Sequence, residues 1–224
     1  MAADSVIEAI GKYKIIAILR GVPAEKLIPL TEALYRGGIR LTELTYNAEK
    51  PSSWEENAAN IARLVRRFEG RLLVGAGTVL CEEQVEMTAR AGGRFIVSPD
   101  TNEKVIAKTK ELGLVSVPGA FTPTEIQRAH LAGADFVKMF PAGAGGVGYF
   151  KDVKTPLAHI RLLAVGGIHP ENMADYLKAG AAGFGISSGI APASLVEDEN
   201  WEGVTALARS YVLAAGLRTE KRTE

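Results

Sequence analysis

The stretch RFIVSPDTNEKVIAKTKELGLVSVPG, residues 94–119, holds one complete unit of the pattern that decides the fold. It opens on an apolar, β-branched run, RFIVSP (94–99), continues through NEKVIAKTKELG (102–113) at helical spacing, and returns to a second apolar run, LVSVPG (114–119). Asp100-Thr101-Asn102 supplies a polar start for the helix, and Gly113 stands where a helix prefers to end. A strand, a helix and a strand in that order form a right-handed crossover between parallel neighbours.

The unit recurs on both sides. Further strand candidates are KIIAILR (14–20), LTELTY (41–46), RLLVGAG (71–77), DFVKMF (135–140), RLLAVG (161–166) and AGFGIS (182–187), eight in all with the two above. Between them lie helical segments such as AEKLIPLTEALYRGG, WEENAANIARLVRRFEG, EEQVEMTARAGG, TPTEIQRAHLAG and HPENMADYLKAG, most ending in glycine. Eight evenly spaced units favour a closed (β/α)8 TIM barrel over an open doubly wound sheet, the competing architecture. Residues 2–11 predict an extra N-terminal amphipathic helix that plugs the barrel bottom, and 200–217 a closing helix. The charged tail RTEKRTE is expected to fray. The 224 residues, with no linker or low-complexity stretch, read as a single barrel domain, 1–224.

An apolar fraction of 47% and a charged fraction of 23% fit a globular chain with a substantial core. Lys plus Arg and Asp plus Glu both number 26, so no overall field gathers nucleic acid or anionic lipid, and any anion must be captured locally. No apolar run approaches the roughly 20 residues of a membrane span. The lone cysteine, Cys81, and an N-terminus without a signal-peptide core predict a cytoplasmic protein.

In such barrels the reacting groups project from the C-terminal ends of the strands. Lys138 stands out there: Lys12 and Lys14 lie at the bottom, most other lysines fall on helices, and only Lys138 stands within the C-terminal half of a strand. Alternation turns Phe136 and Phe140 to its side, and an ammonium so poorly solvated tends toward the neutral amine that attacks carbonyls. A structural lysine paired with a buried carboxylate fits the same position. Glu43, inside the second strand with Thr45 and Asn47 on its face, suits either an acid/base or an ion-pair partner. Arg20, ending the first strand, can bind a carboxylate, and Thr78 follows Gly75-Ala76-Gly77, whose glycines allow close approach of a ligand. The last two strands end in VGGIHPEN and FGISSG, where barrels commonly bind phosphate; Gly166, Gly167, Gly185, Ser187 and Ser188 are the candidates. His130, His159 and His169 are scattered among a helix, the bottom and the top, so no metal site and no cofactor is expected. Cys81 opens a helix with no histidine near it in sequence and reads as a packed or partly exposed residue.

Taken together, IIAILRG (15–21), TELTYN (42–47), VGAGTVL (74–80), FIVSP (95–99), VPGAFTPTE (117–125), VKMFPAG (137–143) and AVGGIHPEN (164–172) resemble the 2-keto-3-deoxy-6-phosphogluconate (KDPG) aldolase family. That family includes enzymes acting on the galactonate epimer (KDPGal) and on 4-hydroxy-2-oxoglutarate (KHG). The likeness spans about residues 14–190, and its most specific element is the LysxPhePro segment. It implies a class I aldolase with Lys138 as Schiff-base lysine, Glu43 as acid/base, Arg20 and Thr78 beside the pyruvoyl part, and Pro99 and Phe140 lining the pocket. Gly166, Gly167 and Ser187 match the family's phosphate loops, although GISSG departs from the commoner GlyGlySer. Asn47 stands where many members have an arginine for the substrate carboxylate, and Val165 where gluconate-type members often have threonine. Both resemble the galactonate-type branch. The resemblance further implies a phosphorylated keto acid as ligand and a homotrimer. Two other classes remain open: an isomerase or epimerase in which Lys138 acts only by its charge, and a silent barrel that binds a phosphorylated metabolite.

Overall fold

A computed structural model describes residues 2–217, so the tail RTEKRTE lies outside the described residues. All eight expected runs form strands. In chain order they are β1 (Ile15–Leu19), β2 (Leu41–Thr45), β3 (Leu73–Gly77), β4 (Phe95–Val97), β5 (Val115–Val117), β6 (Gly119–Ala120), β7 (Val137–Met139), β8 (Leu162–Val165) and β9 (Gly183–Ile186). The ninth arises because the expected strand 114–119 is split at Pro118, which has no N–H to give to a ladder. All pair in parallel, in the order β5-β4-β3-β2-β1-β9-β8-β7-β6. The two ends of that order are consecutive in the chain, so β5 and β6 are halves of one stave. The Pro118 carbonyl still accepts from Lys138 N–H at 2.8 Å, and the sheet closes into the (β/α)8 barrel.

Helices alternate with the strands: α1 (Ala3–Tyr13), α2 (Leu27–Arg36), α3 (Trp54–Arg67), α4 (Glu82–Arg90), α5 (Glu103–Glu111), α6 (Pro123–Leu131), α7 (Ala142–Lys154), α8 (Pro170–Lys178), α9 (Ala193–Glu197) and α10 (Trp201–Ala214). Their starts are where the sequence puts caps. Asn102 Oδ1 accepts from Lys104 N–H at 3.1 Å, and Glu125 Oε2 accepts from Thr122 N–H at 2.8 Å in a capping box. No helix among the described residues is long and apolar enough to cross a membrane. The sequence reading missed α9, a single short turn after β9. Lys26 holds it by donating to the Val196 and Glu197 carbonyls at 3.1 and 2.9 Å.

Alternation along the strands separates two cores. Ile15, Ala17 and Leu19 face the helices, whereas Ile16 and Ile18 join Phe95, Val97, Val115, Val117, Phe136, Leu163 and Val165 inside the barrel. Val6 and Ile10, one turn apart on α1 and both fully buried, enter the same interior cluster from below. Burying each contributes about 1.5–3 kcal/mol, which fixes α1 as the expected bottom plug. With Val6 and Ile10 filling the bottom, the C-terminal ends of the strands are left as the mouth.

Candidate active site

Lys138 occupies the centre of β7 and points into the barrel, with only 7% of its surface exposed. Glu43 enters from β2 and is 2% exposed. Both line one interior cavity of about 10 Å³, walled by Ile16, Ile18, Val97, Val117, Leu163 and Val165, enough space for about a single water. Burial pushes the Glu43 carboxyl from an ordinary 4.5 up to about 7, against the pull of Lys138 and Arg20. Burial also holds the Lys138 amine below its ordinary value; Glu43 opposes that shift and Arg20 adds to it. Each group is thus biased toward its neutral form. Glu43 Oε2 is buried without a hydrogen-bond partner, so the carboxyl keeps acceptor capacity free.

The two phenylalanines expected beside Lys138 differ in position. Phe136 is buried in the interior cluster, while Phe140 sits at the rim, 39% exposed, its ring centroid 4.7 Å from Lys138 Nζ. The cavity wall beside the amine is aliphatic, and the Phe140 ring stands beside it at the rim.

Arg20, exposed at the end of β1, stands between two open clefts at the mouth. One, of about 660 Å³, is bordered by Thr45, Asn47, Lys50, Asn57 and Thr78. The other, of about 350 Å³, is bordered by Val22, Lys26, Ser187, Ser188 and Glu197. Thr78 adopts φ 53°, a left-handed conformation that a β-branched residue seldom takes. Asn47 is committed in part to its own loop: its Oδ1 accepts from Glu49 N–H at 2.9 Å, and its carbonyl accepts from the Trp54 indole N–H at 3.0 Å. Pro99 lies half-buried just past β4, with its carbonyl against Gly119, where a β-carbon would overlap it.

Gly166 and Gly167 both have positive φ, 85° and 74°, which lets the chain after β8 fold down onto the start of α7. Gly143 N–H donates to the Gly166 carbonyl at 2.8 Å, and a β-carbon at Gly166 would come within 3.3 Å of the Phe140 ring. The loop expected to hold phosphate is thereby joined to the strand that carries Lys138. Ser187 and Ser188 follow β9 at the rim. Gly185 does not belong with them. It is buried inside β9, paired with Val165 and Ile16, where a β-carbon would come within 2.9 Å of Val165 Cγ2. Its small size makes room in the interior rather than offering a loop donor.

Gly75 and Gly77 also prove to be packing glycines. A β-carbon at Gly75 would strike the Phe95 ring, and one at Gly77 the Glu43 carboxyl. The sequence pointed to ligand approach here, whereas the space belongs to neighbouring side chains. Among the described residues no three His, Cys, Asp or Glu side chains gather as a metal site. A further cleft of about 690 Å³ lies on the flank between α5 and α6, bordered by Glu103, Gln127, Arg128 and Leu131, away from the strand ends.

A closed parallel barrel with an amine and a carboxyl group desolvated together under its mouth has the parts that a carbon–carbon lyase of the aldolase class uses, and the relatives of this chain are of that class. The family model described as KDPG and KHG aldolase matches residues 6–207. The chain is 35% identical to the 2-dehydro-3-deoxy-6-phosphogalactonate aldolase of Escherichia coli K12, covering 89% of this chain and 95% of that one. It is 32% identical to the 2-dehydro-3-deoxy-phosphogluconate aldolase of Treponema pallidum, over 95% and 99%. Among solved structures it superposes on a native KDPGal structure with a TM-score of 0.80 at 34% identity, over 89% and 93% of the two chains. It also superposes on a Legionella pneumophila KDPG aldolase that holds pyruvate as a covalent carbinolamine, with a TM-score of 0.82 at 26% identity, over 92% and 97%. The chain belongs to the KDPG and KHG aldolase family.

Proposed function

We propose that the protein cleaves a 2-keto-3-deoxy-6-phospho sugar acid to pyruvate and glyceraldehyde 3-phosphate through a Schiff base on Lys138. The observation that carries this reading is the shared desolvation of Lys138 and Glu43 around one interior cavity. The neutral Lys138 amine attacks the C2 ketone, and the resulting carbinolamine loses water, taking a proton from the Glu43 carboxyl, to leave a protonated imine. Glu43, now a carboxylate, removes the C4 hydroxyl proton. The C3–C4 bond breaks, its electron pair moves into the imine to give an enamine, and C4 leaves as the aldehyde of glyceraldehyde 3-phosphate. Glu43 returns its proton to C3, giving the protonated imine of pyruvate, and water hydrolyses this to pyruvate and the free amine, the released proton going back to Glu43.

Arg20 and Thr78 take the substrate carboxylate, with the Asn47 amide at the same end in place of the arginine common in the family. Pro99 and Phe140 border the reacting carbons, and Val165 borders C4. Gly166, Gly167, Ser187 and Ser188 receive the phosphate, whose binding holds the substrate in register for reaction at C4. The family resemblance supports a homotrimer, which sedimentation of the full chain tests, and the lone cysteine supports a cytoplasmic setting. Borohydride reduction in the presence of pyruvate tests the chemistry. The expected result is a stable adduct on Lys138 by peptide mass mapping; an adduct on another lysine, or none where a known Schiff-base aldolase is trapped, removes the mechanism.

A further inference from the structure

The three-residue turn after β3 is held from outside itself. Val79 N–H donates to the Val97 carbonyl at 3.3 Å, and the Val79 carbonyl accepts from Ser98 Oγ at 2.7 Å. Leu80 N–H donates to Gln84 Oε1 at 2.7 Å, and the Leu80 carbonyl accepts from Asn102 Nδ2 at 3.2 Å. All four backbone polar groups of Val79 and Leu80 are therefore taken, three of them by side chains from α4, the end of β4 and the cap of α5. Ser98 is 2% exposed and Gln84 fully buried. Gln84 Nε2 has no partner, so an apolar side chain of similar length would fill the space without burying an unpaired donor. What Gln84 adds over such a side chain is its bond to Leu80. Thr78, with φ 53°, is the residue this arrangement keeps out of the ordinary backbone regions.

We infer that Gln84, Ser98 and Asn102 are positioning residues for the reaction. Together they clamp the backbone of Val79 and Leu80, hold Thr78 in its left-handed conformation, and so fix its hydroxyl at the pyruvoyl end of the site. This rests on the reading of Thr78 as a substrate contact. Sequence alone gave no sign of it, because the three side chains act on the backbone of a loop from three separate elements.

The test uses the full chain and pyruvate as probe, reading how adduct formation on Lys138 under borohydride depends on pyruvate concentration. Ser98→Ala and Gln84→Met are each expected to raise the half-saturating pyruvate concentration by about three- to tenfold, the loss of one hydrogen bond's worth of positioning, while the adduct yield at saturation holds. Ser98→Thr, which keeps the hydroxyl, is expected to stay within about twofold of the parent protein. Thr78→Ala is expected to raise the same concentration, and neither clamp substitution to add to it in that background, since residues acting through one another are not additive. Lower melting temperature and lower yield at unchanged half-saturation would mean a merely structural role and overturn the proposal. Equal effects in both backgrounds, or a Thr78→Ala protein that binds pyruvate as before, would overturn it too. Those results leave the Lys138 adduct in place, whereas failure to form any adduct in the parent protein sinks the aldolase reading itself.

Discussion

The carboxyl group of Glu43 rests on the bare backbone of Gly77: a β-carbon at residue 77 would stand no more than 2.5 Å from Oε1, Cδ and Oε2. The β2–β3 register pairs Glu43 with Gly75 and Thr45 with Gly77, so the Glu43 side chain leans one step toward the mouth and needs an empty face there. Substituting Gly77→Ala displaces the end of a flexible side chain and leaves the backbone alone. Activity should suffer far more than folding. We expect kcat to fall about 100-fold, the usual worth of a positioned acid/base, with thermal melting close to the parent protein. A Gly77→Ala protein with full kcat would show that Glu43 does not work from this seat.

The raised pKa of Glu43 makes a prediction about pH. Its carboxyl titrates at an ordinary 4.5 in the unfolded chain and at about 7 in the folded one, so between those values the folded state holds more protons. Stability then falls as pH climbs through that window, by up to about 3 kcal/mol, and is level above it. Glu43→Gln removes the titration. Melting curves over about pH 4 to 9 should show the variant gaining on the parent protein up to about pH 7 and keeping a constant lead beyond. In the proposed cycle Glu43 starts as the neutral carboxyl that protonates the departing water, so kcat of the parent protein should fall as pH climbs through about 7. A melting difference independent of pH would show that Glu43 ionises normally.

The imine on Lys138 is the electron sink in the proposed cleavage. Dialysis against a strong chelator should therefore leave kcat within about twofold of its starting value. Full loss of turnover, restored by adding zinc or magnesium, would assign the sink to a metal instead.

Much of this was legible in the sequence because it rests on period and position. Ile16, Ile18 and Lys138 point inward by simple alternation, and Thr122-Pro123-Thr124-Glu125 announces its helix start by side-chain chemistry. The split at Pro118 was legible in principle, since proline cannot donate to a ladder. The seats of Glu43 on Gly77 and of Val165 beside Gly185 were not. Glycine in a strand signals close approach, but the sequence does not say whether a ligand or a neighbouring side chain approaches. Strand register answers that, and register is a property of pairs far apart in the chain.

The choice of epimer turns on Val165. It is 5% exposed and borders the cavity shared by Glu43 and Lys138, so it lies beside the position proposed for C4, the carbon at which the epimers differ. A threonine there could donate to or accept from the C4 hydroxyl, and valine can do neither. An apolar wall discriminates by shape alone, usually worth about 1–3 kcal/mol. We therefore expect cleavage of both epimers, with the galactonate form preferred by about tenfold in kcat/KM, or about 1.4 kcal/mol in transition-state binding. Val165→Thr restores a hydroxyl in nearly the same volume and should move the ratio toward the gluconate epimer, while Gly185, which leaves space beside the side chain, is kept. The measurement is kcat/KM for each epimer with both proteins, so that any general loss from burying the hydroxyl divides out of the ratio. A parent protein strongly selective for the gluconate form, or a Val165→Thr ratio equal to the parent's, would show that residue 165 does not read C4.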